Sequence, residues 1–360
     1  MFFVRVFSGK NDKYERLRWQ GSRSMKMGVS VAVIEGDGVG REVVPVAVDL
    51  LKHLEPEFEF VPVEVGYGKW RRVGVAVDDD DLELMKGCDC ALFGAITTPP
   101  DPRYRSVLVR LRREFDLYAN IRPYRYMGVH IPQYRPLKPF SFTIVRENTE
   151  GLYSGVEEIT EEGARTVRVL TRKGCERIVR AACEIAKREG SGITIVHKAN
   201  VLKSDLFFKN IALQIAEREN IAHGEVYIDA MAYHLICSPE NYRVIVTTNL
   251  FGDILSDLAA ALVGGLGMCP SANLGDDYGL FEPVHGSAPD IAGKGIANPI
   301  GSVLSAKMML DWLGRSESAA LLDGAVEHVI EKRVLTPDLG CDKRTGDVGA
   351  AMLKYIEEAS

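Results

Sequence analysis

Apolar residues fall along this chain in two alternating kinds of run. One kind is short, rich in β-branched residues and closed by glycine or a polar cluster. "VSVAVIEG" (29–36), "CALFGAI" (90–96), "FTIVREN" (142–148), "GITIVHKAN" (192–200), "EVYIDAMA" (225–232) and "RVIVTTN" (243–249) are of this kind and read as buried strands. The other kind repeats every three to four residues. "REVVPVAVDLLKHL" (41–54), "VLVRLRREFDL" (107–117) and "KGCERIVRAACEIAKREG" (173–190) read as helices. Strand and helix alternate almost throughout, which predicts an α/β architecture. The polar clusters stand at the C-terminal ends of strands, where open α/β sheets hold their ligands. The charge run Asp78–Asp81 precedes "LELM" and reads as a solvated helix start, where negative charge suits the helix dipole.

Bulk properties narrow the picture. A chain of 360 residues exceeds what one hydrophobic core usually serves, so two domains are expected. A net charge of −6 argues against a nucleic-acid partner, which selects a basic face. No apolar run reaches the ~18 residues of a membrane span. The seven cysteines form no CxxC pair and read as reduced thiols of a cytoplasmic protein. The first residues make a poor signal peptide, because Arg5 breaks the apolar stretch. Asp12 and Glu15 likewise spoil a transit peptide. Met25 and Met27 stand just before the first clear strand, so residues 1–28 are expected to be a disordered or artefactual extension.

The glycine-rich "EGDGVG" (35–40) invites a dinucleotide reading and fails it. Its glycines are spaced GxGxG, and Arg41 stands where a GxGxxG fingerprint needs glycine. Arg112, Arg122 and Arg146 are more informative, since the planar guanidinium fork matches a carboxylate and three together would form a polycarboxylate pocket. Any one alone is more often a surface charge. Lys198 and Asn200 follow a strand in "VHKAN", where a buried lysine can act as acid or base. Tyr153 in "EGLYSG" can donate a proton, although most tyrosines only pack. Asp253 and Asp257 are four apart, so both emerge from one helix face. Asp257 stands among apolar neighbours, where a lone carboxylate is costly, and a divalent cation with Asp229 as third ligand would compensate it. From spacing alone, a helix cap with a solvated face explains the pair as well.

Together these segments resemble the β-decarboxylating dehydrogenases, which act on isopropylmalate, isocitrate, homoisocitrate or tartrate. "IEGDGVG", "LRREFDLYANIRP", "VRENTEGLY", "HKANVL", "YIDAMA", "TTNLFGDILSD" and "LFEPVHGSAPDIAGKGIANP" carry the resemblance in order, from about Val29 onward. It implies an isopropylmalate-dehydrogenase-like open sheet with a non-Rossmann NAD site. The first domain would comprise 29–117 plus 264–360, and the second, with a dimer interface and an arm near 150–170, would comprise 118–263. It further implies that Arg112, Arg122 and Arg146 hold the malate carboxylates, with Ser106, Val109 and Asn200 also on the substrate. Asp229, Asp253 and Asp257 would hold Mg2+ or Mn2+. Lys198 would help remove the hydroxyl proton, and Tyr153 would reprotonate the enolate. His285, Gly286, Asp290, Ile291 and Asn298 would bind the cofactor, with Asp290 on the ribose hydroxyls favouring NAD+ over NADP+. Such enzymes share sites between subunits, Lys198 and Asp229 coming from the partner, so a homodimer, or a tetramer of two such dimers, is expected.

The resemblance implies a 2-hydroxy di- or tricarboxylate substrate. Val107, Leu108 and Val109 suit an isopropyl group, whereas Ser106, Arg105 or Arg110 would meet an extra carboxylate. The wording most resembles archaeal isopropylmalate and homoisocitrate enzymes, which favours 3-isopropylmalate, then homoisocitrate or both, then isocitrate or tartrate. The alternative of another class is a non-catalytic regulatory paralogue, but such chains lose site residues and this one has the whole set. After "HKANVLK" the family's usual "xTDGLF" is shortened to "SDLFF", beside Lys198.

Overall fold

A computed structural model describes residues 28–101, 103–129, 134 and 136–359. The expected extension, with Met25 and Met27, therefore lies outside the described residues except for Gly28. The short apolar runs become strands: β1 (Ser30–Gly36), β2 (Glu59–Pro62), β3 (Cys90–Ala95), β4 (Ala119–Arg125), β5 (Ser141–Glu147) and the small β6 (Glu157–Ile159) and β7 (Ala164–Thr166). Then come β8 (Ile193–His197), β9 (His223–Tyr227), β10 (Val244–Thr247), β11 (Pro270–Leu274) and β12 (Gly279–Pro283). The helices are α1 (Gly40–Leu54), α2 (Tyr67–Val73), α3 (Asp79–Lys86), α4 (Val107–Glu114), α5 (Arg172–Glu189) and α6 (Lys203–Arg218). The rest are α7 (Ile228–Cys237), α8 (Asn249–Val263), α9 (Ile300–Leu313), α10 (Ser316–Glu331) and α11 (Thr345–Ala359).

Ten strands form one sheet in the order β2-β1-β3-β12-β11-β4-β5-β10-β8-β9. β2, β1, β3 and β12 run parallel to one another, as do β5, β10, β8 and β9. The pairings β12–β11, β11–β4 and β4–β5 are antiparallel. Three reversals in the middle leave the two outer groups running in opposite senses. Strands buried on both faces explain the continuous apolar runs, such as Cys90–Ala95 without an exposed residue.

Helices cover both faces with apolar stripes. α5 buries Ile178, Val179, Ala182 and Ile185, each large side chain contributing about 2 kcal/mol by leaving water. Thr171 caps it by accepting from Gly174 N, and Gly190 ends it in the left-handed region. Asp78 caps α3 with Asp81 in a reciprocal box, as the charge run suggested, and Lys69 Nζ bonds both carboxylates at 2.7 and 2.5 Å.

"EVYIDAMA" is not one strand. β9 stops at Tyr227 and α7 starts at Ile228, placing Asp229 in a first helical turn. Met231 and Leu235, four apart, are the buried positions of this helix, so helical spacing overrides the apolar run. α7 is apolar nearly all round, yet Tyr233 and Ile236 are exposed. Val201 beside α6, Phe207 on α6 and Ile254 on α8 are exposed too. β6 and β7 pair apart from the main sheet as a hairpin with every residue exposed.

Candidate active site

The site is built where the two strand groups meet. α4 is capped by Ser106, whose hydroxyl accepts from Val109 N at 3.5 Å. Burial of Val107 and Leu111 fixes the face of α4 that presents Arg112, which is itself buried. Its Nη2 lies 3.4 Å from the buried Glu282 carboxylate, while its Nε is buried without a partner. Arg122 stands on β4, its Nε donating to Asn120 Oδ1 at 2.5 Å. Arg146, near the end of β5, is 1% exposed. Asn249 Oδ1 accepts from Arg146 Nε at 3.2 Å and from Nη2 at 2.8 Å. The Arg146 stem runs over Gly252, where a Cβ would lie 2.6 Å from Arg146 Cγ. Glycine is thus the residue that lets the guanidinium pass.

Asp253 joins this group from the first turns of α8. It accepts from Arg146 Nη1 and, at 2.6 Å, from the Tyr153 hydroxyl, with Arg122 Nη1 at 3.6 Å. The Arg146 guanidinium lies 5.3 Å from the centre of the Tyr153 ring. Three guanidiniums face two carboxylates here. Burial, then the charges of Arg122 and Arg112, pull the Arg146 pKa below the ordinary arginine range. Burial alone would push Asp253 up, but Arg146 and the Tyr153 hydroxyl outweigh it and hold Asp253 below the usual carboxylate range. Burial and the hydrogen bond to Asp253 raise the Tyr153 hydroxyl, keeping it protonated at neutral pH. The cluster opens into a cavity of about 230 Å3 lined also by Ile96, Ser106, Leu108, Val109, Glu282, His285 and Gly286. The surplus positive charge and the orphan Nε of Arg112 fit a polycarboxylate ligand.

Asp257, one turn beyond Asp253, is exposed rather than enclosed by apolar neighbours. The apolar residues around it, Leu255 and Ala259–Ala260, turn inward from α8, and Asp257 turns out. Burial of part of its surface and the nearby Asp253 charge raise its pKa. Two carboxylates one turn apart on one helix, the second destabilised by the charge of the first, are a fitting donor pair for a divalent cation. Asp229 is elsewhere: it is exposed and pairs with Lys198 Nζ at 2.5 Å. Neither Lys198 nor Asp229 lines the cavity, Asn200 is exposed on the turn after Lys198, and no group of three acidic, cysteine or histidine ligands gathers among the described residues.

The candidate cofactor residues divide. His285 and Gly286 line the cavity, and His285 Nε2 is buried without a partner, which fits a bound polar group. Asp290 is exposed and Ile291 half-buried in the turn that follows. Asn298 holds protein instead: its amide donates to Asp338 at 3.1 Å, and its oxygen accepts from Ile300 N at 3.0 Å. The glycine-rich turn packs against this loop. Val39 N donates to Ser287 O at 2.9 Å, and a Cβ on Gly38 would lie 1.9 Å from that oxygen. Its glycines at 36, 38 and 40 therefore admit the neighbouring backbone of Ala95, Ser287 and Glu35.

Four contributors escaped the sequence reading. Glu282 sits in an apolar strand and only its place beside Arg112 marks it. Asn249 and Gly252 lie inside "TTNLFGD", but what they do depends on Arg146 from another strand. Arg113 follows Arg112 in the same basic run with no motif of its own, yet it donates to the carbonyls of Tyr153 and Ser154 at 3.0 and 2.7 Å.

Residues 30–352 match the sequence pattern of a family described as isocitrate/isopropylmalate dehydrogenase. The chain is 47% identical over 342 residues to a homoisocitrate dehydrogenase of Methanocaldococcus jannaschii, covering 92% of this chain and 98% of that one. It is equally 47% identical to a 3-isopropylmalate/3-methylmalate dehydrogenase of the same organism, covering 91% and 99%. Among solved structures, isocitrate dehydrogenase from Methylococcus capsulatus superposes with a TM-score of 0.87 at 39% identity, covering 91% of this chain and 99% of that one. A β-decarboxylating dehydrogenase from Thermococcus kodakarensis gives 0.81 at 45% identity, covering 92% and 96%.

Proposed function

The chain belongs to the isocitrate/isopropylmalate dehydrogenase family, and from that premise we propose that it oxidatively decarboxylates 3-isopropylmalate to 4-methyl-2-oxopentanoate, using NAD+ and Mg2+ or Mn2+, in leucine biosynthesis. It is an enzyme of the NAD-dependent β-decarboxylating dehydrogenases. The observation that carries the substrate is the lining of the cavity. Ile96, Leu108 and Val109 face it, whereas Arg110 turns away to Val77 O and Asp79, at 2.6 and 2.5 Å, and Arg105 is exposed. An apolar substituent fits that wall, and a third carboxylate there would lack a cation. Homoisocitrate is the second reading, supported by the Ser106 hydroxyl in the same wall and by the equal likeness to a homoisocitrate dehydrogenase.

When bound, the cofactor accepts a hydride and the divalent cation draws electron density from the substrate hydroxyl and its adjacent carboxylate. Arg112, Arg122 and Arg146 hold the malate carboxylates in the fork geometry of their guanidiniums. Asp253 and Asp257, with Asp229 of a second subunit, would hold the cation. Lys198, again of a second subunit, helps remove the hydroxyl proton as C2 gives up its hydride. The bond from C3 to its carboxylate then breaks, CO2 leaves, and the electron pair passes to the C2 oxygen as an enol. Tyr153, kept protonated by burial and by Asp253, returns a proton to C3. His285, Gly286, Asp290 and Ile291 are the proposed cofactor residues, with Asp290 proposed to accept from the ribose hydroxyls, and Asn298 anchors their loop.

The paired Lys198 and Asp229 lie beside the exposed apolar residues of α6 and α7, which supports a homodimer in which each subunit completes the other's site. The seven cysteines are all free, and a cytoplasmic location remains part of the proposal. Among the described residues no helix is long and apolar enough to cross a membrane.

The test is a panel of 3-isopropylmalate, homoisocitrate, isocitrate and tartrate with NAD+ and Mg2+, followed by NADH absorbance. 3-Isopropylmalate should lead in kcat/KM by about ten-fold or more. Homoisocitrate in the lead would transfer the assignment to the second reading, and no NADH from any of the four would end the dehydrogenase reading.

A further inference from the structure

Lys198 is fixed by a residue seven positions later that nothing above assigns to the chemistry. Asp205 lies in the first turn of α6 with no exposed surface. A carboxylate there ordinarily caps its own helix, but Leu202 at the cap position offers no side-chain bond, and Asp205 reaches back instead. Its Oδ2 accepts from Lys198 N at 2.6 Å. On the other side of the same residue, Lys198 O accepts from Val201 N and Leu202 N at 3.0 and 2.8 Å. Both peptide groups of Lys198 are thereby held.

The other oxygen of Asp205 is ion-paired with Arg168 Nη1 at 2.5 Å. Arg168 follows β7 at the foot of the exposed hairpin. Its Nη2 donates to Thr248 Oγ1 at 2.7 Å, at the start of the helix that carries Asp253, and its guanidinium lies 5.1 Å from the Phe251 ring centre. A buried ion pair adds little net stability over apolar residues of similar volume. What an apolar pair cannot do is accept the Lys198 N–H.

We propose that Asp205 is a positioning residue for Lys198, with Arg168 holding the Asp205 carboxylate in place and joining the hairpin foot and the Thr248 turn to the same anchor. The proposal rests on the reading of Lys198 as the group that helps remove the hydroxyl proton. It also explains how the shortened "SDLFF" segment keeps the lysine in register: the aspartate survives the shortening and bonds directly to the lysine backbone.

The test uses the full-length enzyme with its best substrate from the panel, NAD+ and Mg2+, and compares wild type, Asp205→Ala, Asp205→Asn, Arg168→Met, Lys198→Met and the double variant Asp205→Ala/Lys198→Met. Asp205→Ala should lower kcat about ten- to a hundred-fold, the scale of a misplaced catalytic group. The substrate KM should stay within about two-fold, because the arginine pocket is untouched. Asp205→Asn, which keeps an acceptor for Lys198 N, should recover part of the loss, and Arg168→Met should fall between the two. In the Lys198→Met background the Asp205→Ala change should have no further effect on kcat, since an anchor acts only through what it holds. An equal additional loss in that background would assign Asp205 a merely structural role and overturn the proposal. Impaired Lys198→Met beside fully active Asp205→Ala would overturn the anchor alone. Fully active Lys198→Met would overturn the lysine reading, and the anchor with it. If Asp205→Ala fails to fold, the comparison of Asp205→Asn and Arg168→Met in the two backgrounds decides in its place.

Discussion

Single atoms decide much of this site. The Arg146 stem passes where any side chain on residue 252 would stand, since a Cβ there would meet Arg146 Cγ at 2.6 Å and Cβ at 2.7 Å. Both are stem atoms of a fully buried residue, so the arginine must move. Gly252→Ala should therefore raise substrate KM by about ten-fold or more and destabilise the fold by about 1–3 kcal/mol. Unchanged KM and melting temperature would mean that the approach is looser than described. His197 makes a second residue-scale case. It is 1% exposed, its Nδ1 accepts from Ala199 N at 3.1 Å, and Glu225 lies 3.8 Å from Nε2. Burial lowers its pKa below 6.5 despite the Glu225 and Asp205 charges. The unfolded chain then binds the proton at higher pH than the folded one. Stability from this site is full above pH 6.5 and is lost as pH falls from there toward the depressed folded value. The slope is at most about 1.4 kcal/mol per pH unit for one such group. Urea unfolding between pH 7 and 5 should show a shallower pH dependence for His197→Asn than for wild type, and parallel curves would refute it.

At the scale of elements, the link between α4 and the turn after β5 is the one to test. Arg113 donates to two carbonyls of the Tyr153 turn across the meeting place of the two strand groups. Arg113→Ala should lower kcat about ten-fold with a smaller change in KM, and Arg113→Lys should restore part of it; equal activity in all three proteins would make the link incidental. Elements were the most legible level of the sequence. Runs with one clear period, such as 173–190, became single helices within a residue or two. "EVYIDAMA" was not legible, because a short apolar run satisfies both periods and only its packing selects one. The exposure of Asp257 was illegible for a related reason: apolar neighbours along a helix need not share its face. Arg112, Arg122, Arg146 and Asp253 could be named in advance because residue type and motif both mark them. Glu282, Gly252 and Asp205 could not, since each has its meaning only beside a residue far along the chain.

On the scale of the whole molecule, the sheet is continuous, yet its strands come from three stretches of chain, of which the first and third lie together. β1–β3 with β11 and β12 make one side, and β4, β5 and β8–β10 the other. We propose that the domains divide there, at 117/118 and 263/264, with the cavity in the joint. The exposed apolar residues of α6, α7 and α8 belong to the second stretch, and a face of that kind is expected to be covered by another subunit. Sedimentation should find a dimer or a tetramer of two dimers, and Tyr233→Glu with Ile236→Glu should yield inactive monomers; an active monomer would remove the shared site. The separation of the Lys198–Asp229 pair from the arginine cavity then has a genetic consequence. A cell carrying one allele that spoils the arginines and another that spoils the lysine holds two dead proteins. Their mixed dimers would still contain one undamaged site in two. With random pairing, about a quarter of wild-type activity would return, and two broken genes would together support growth that neither supports alone.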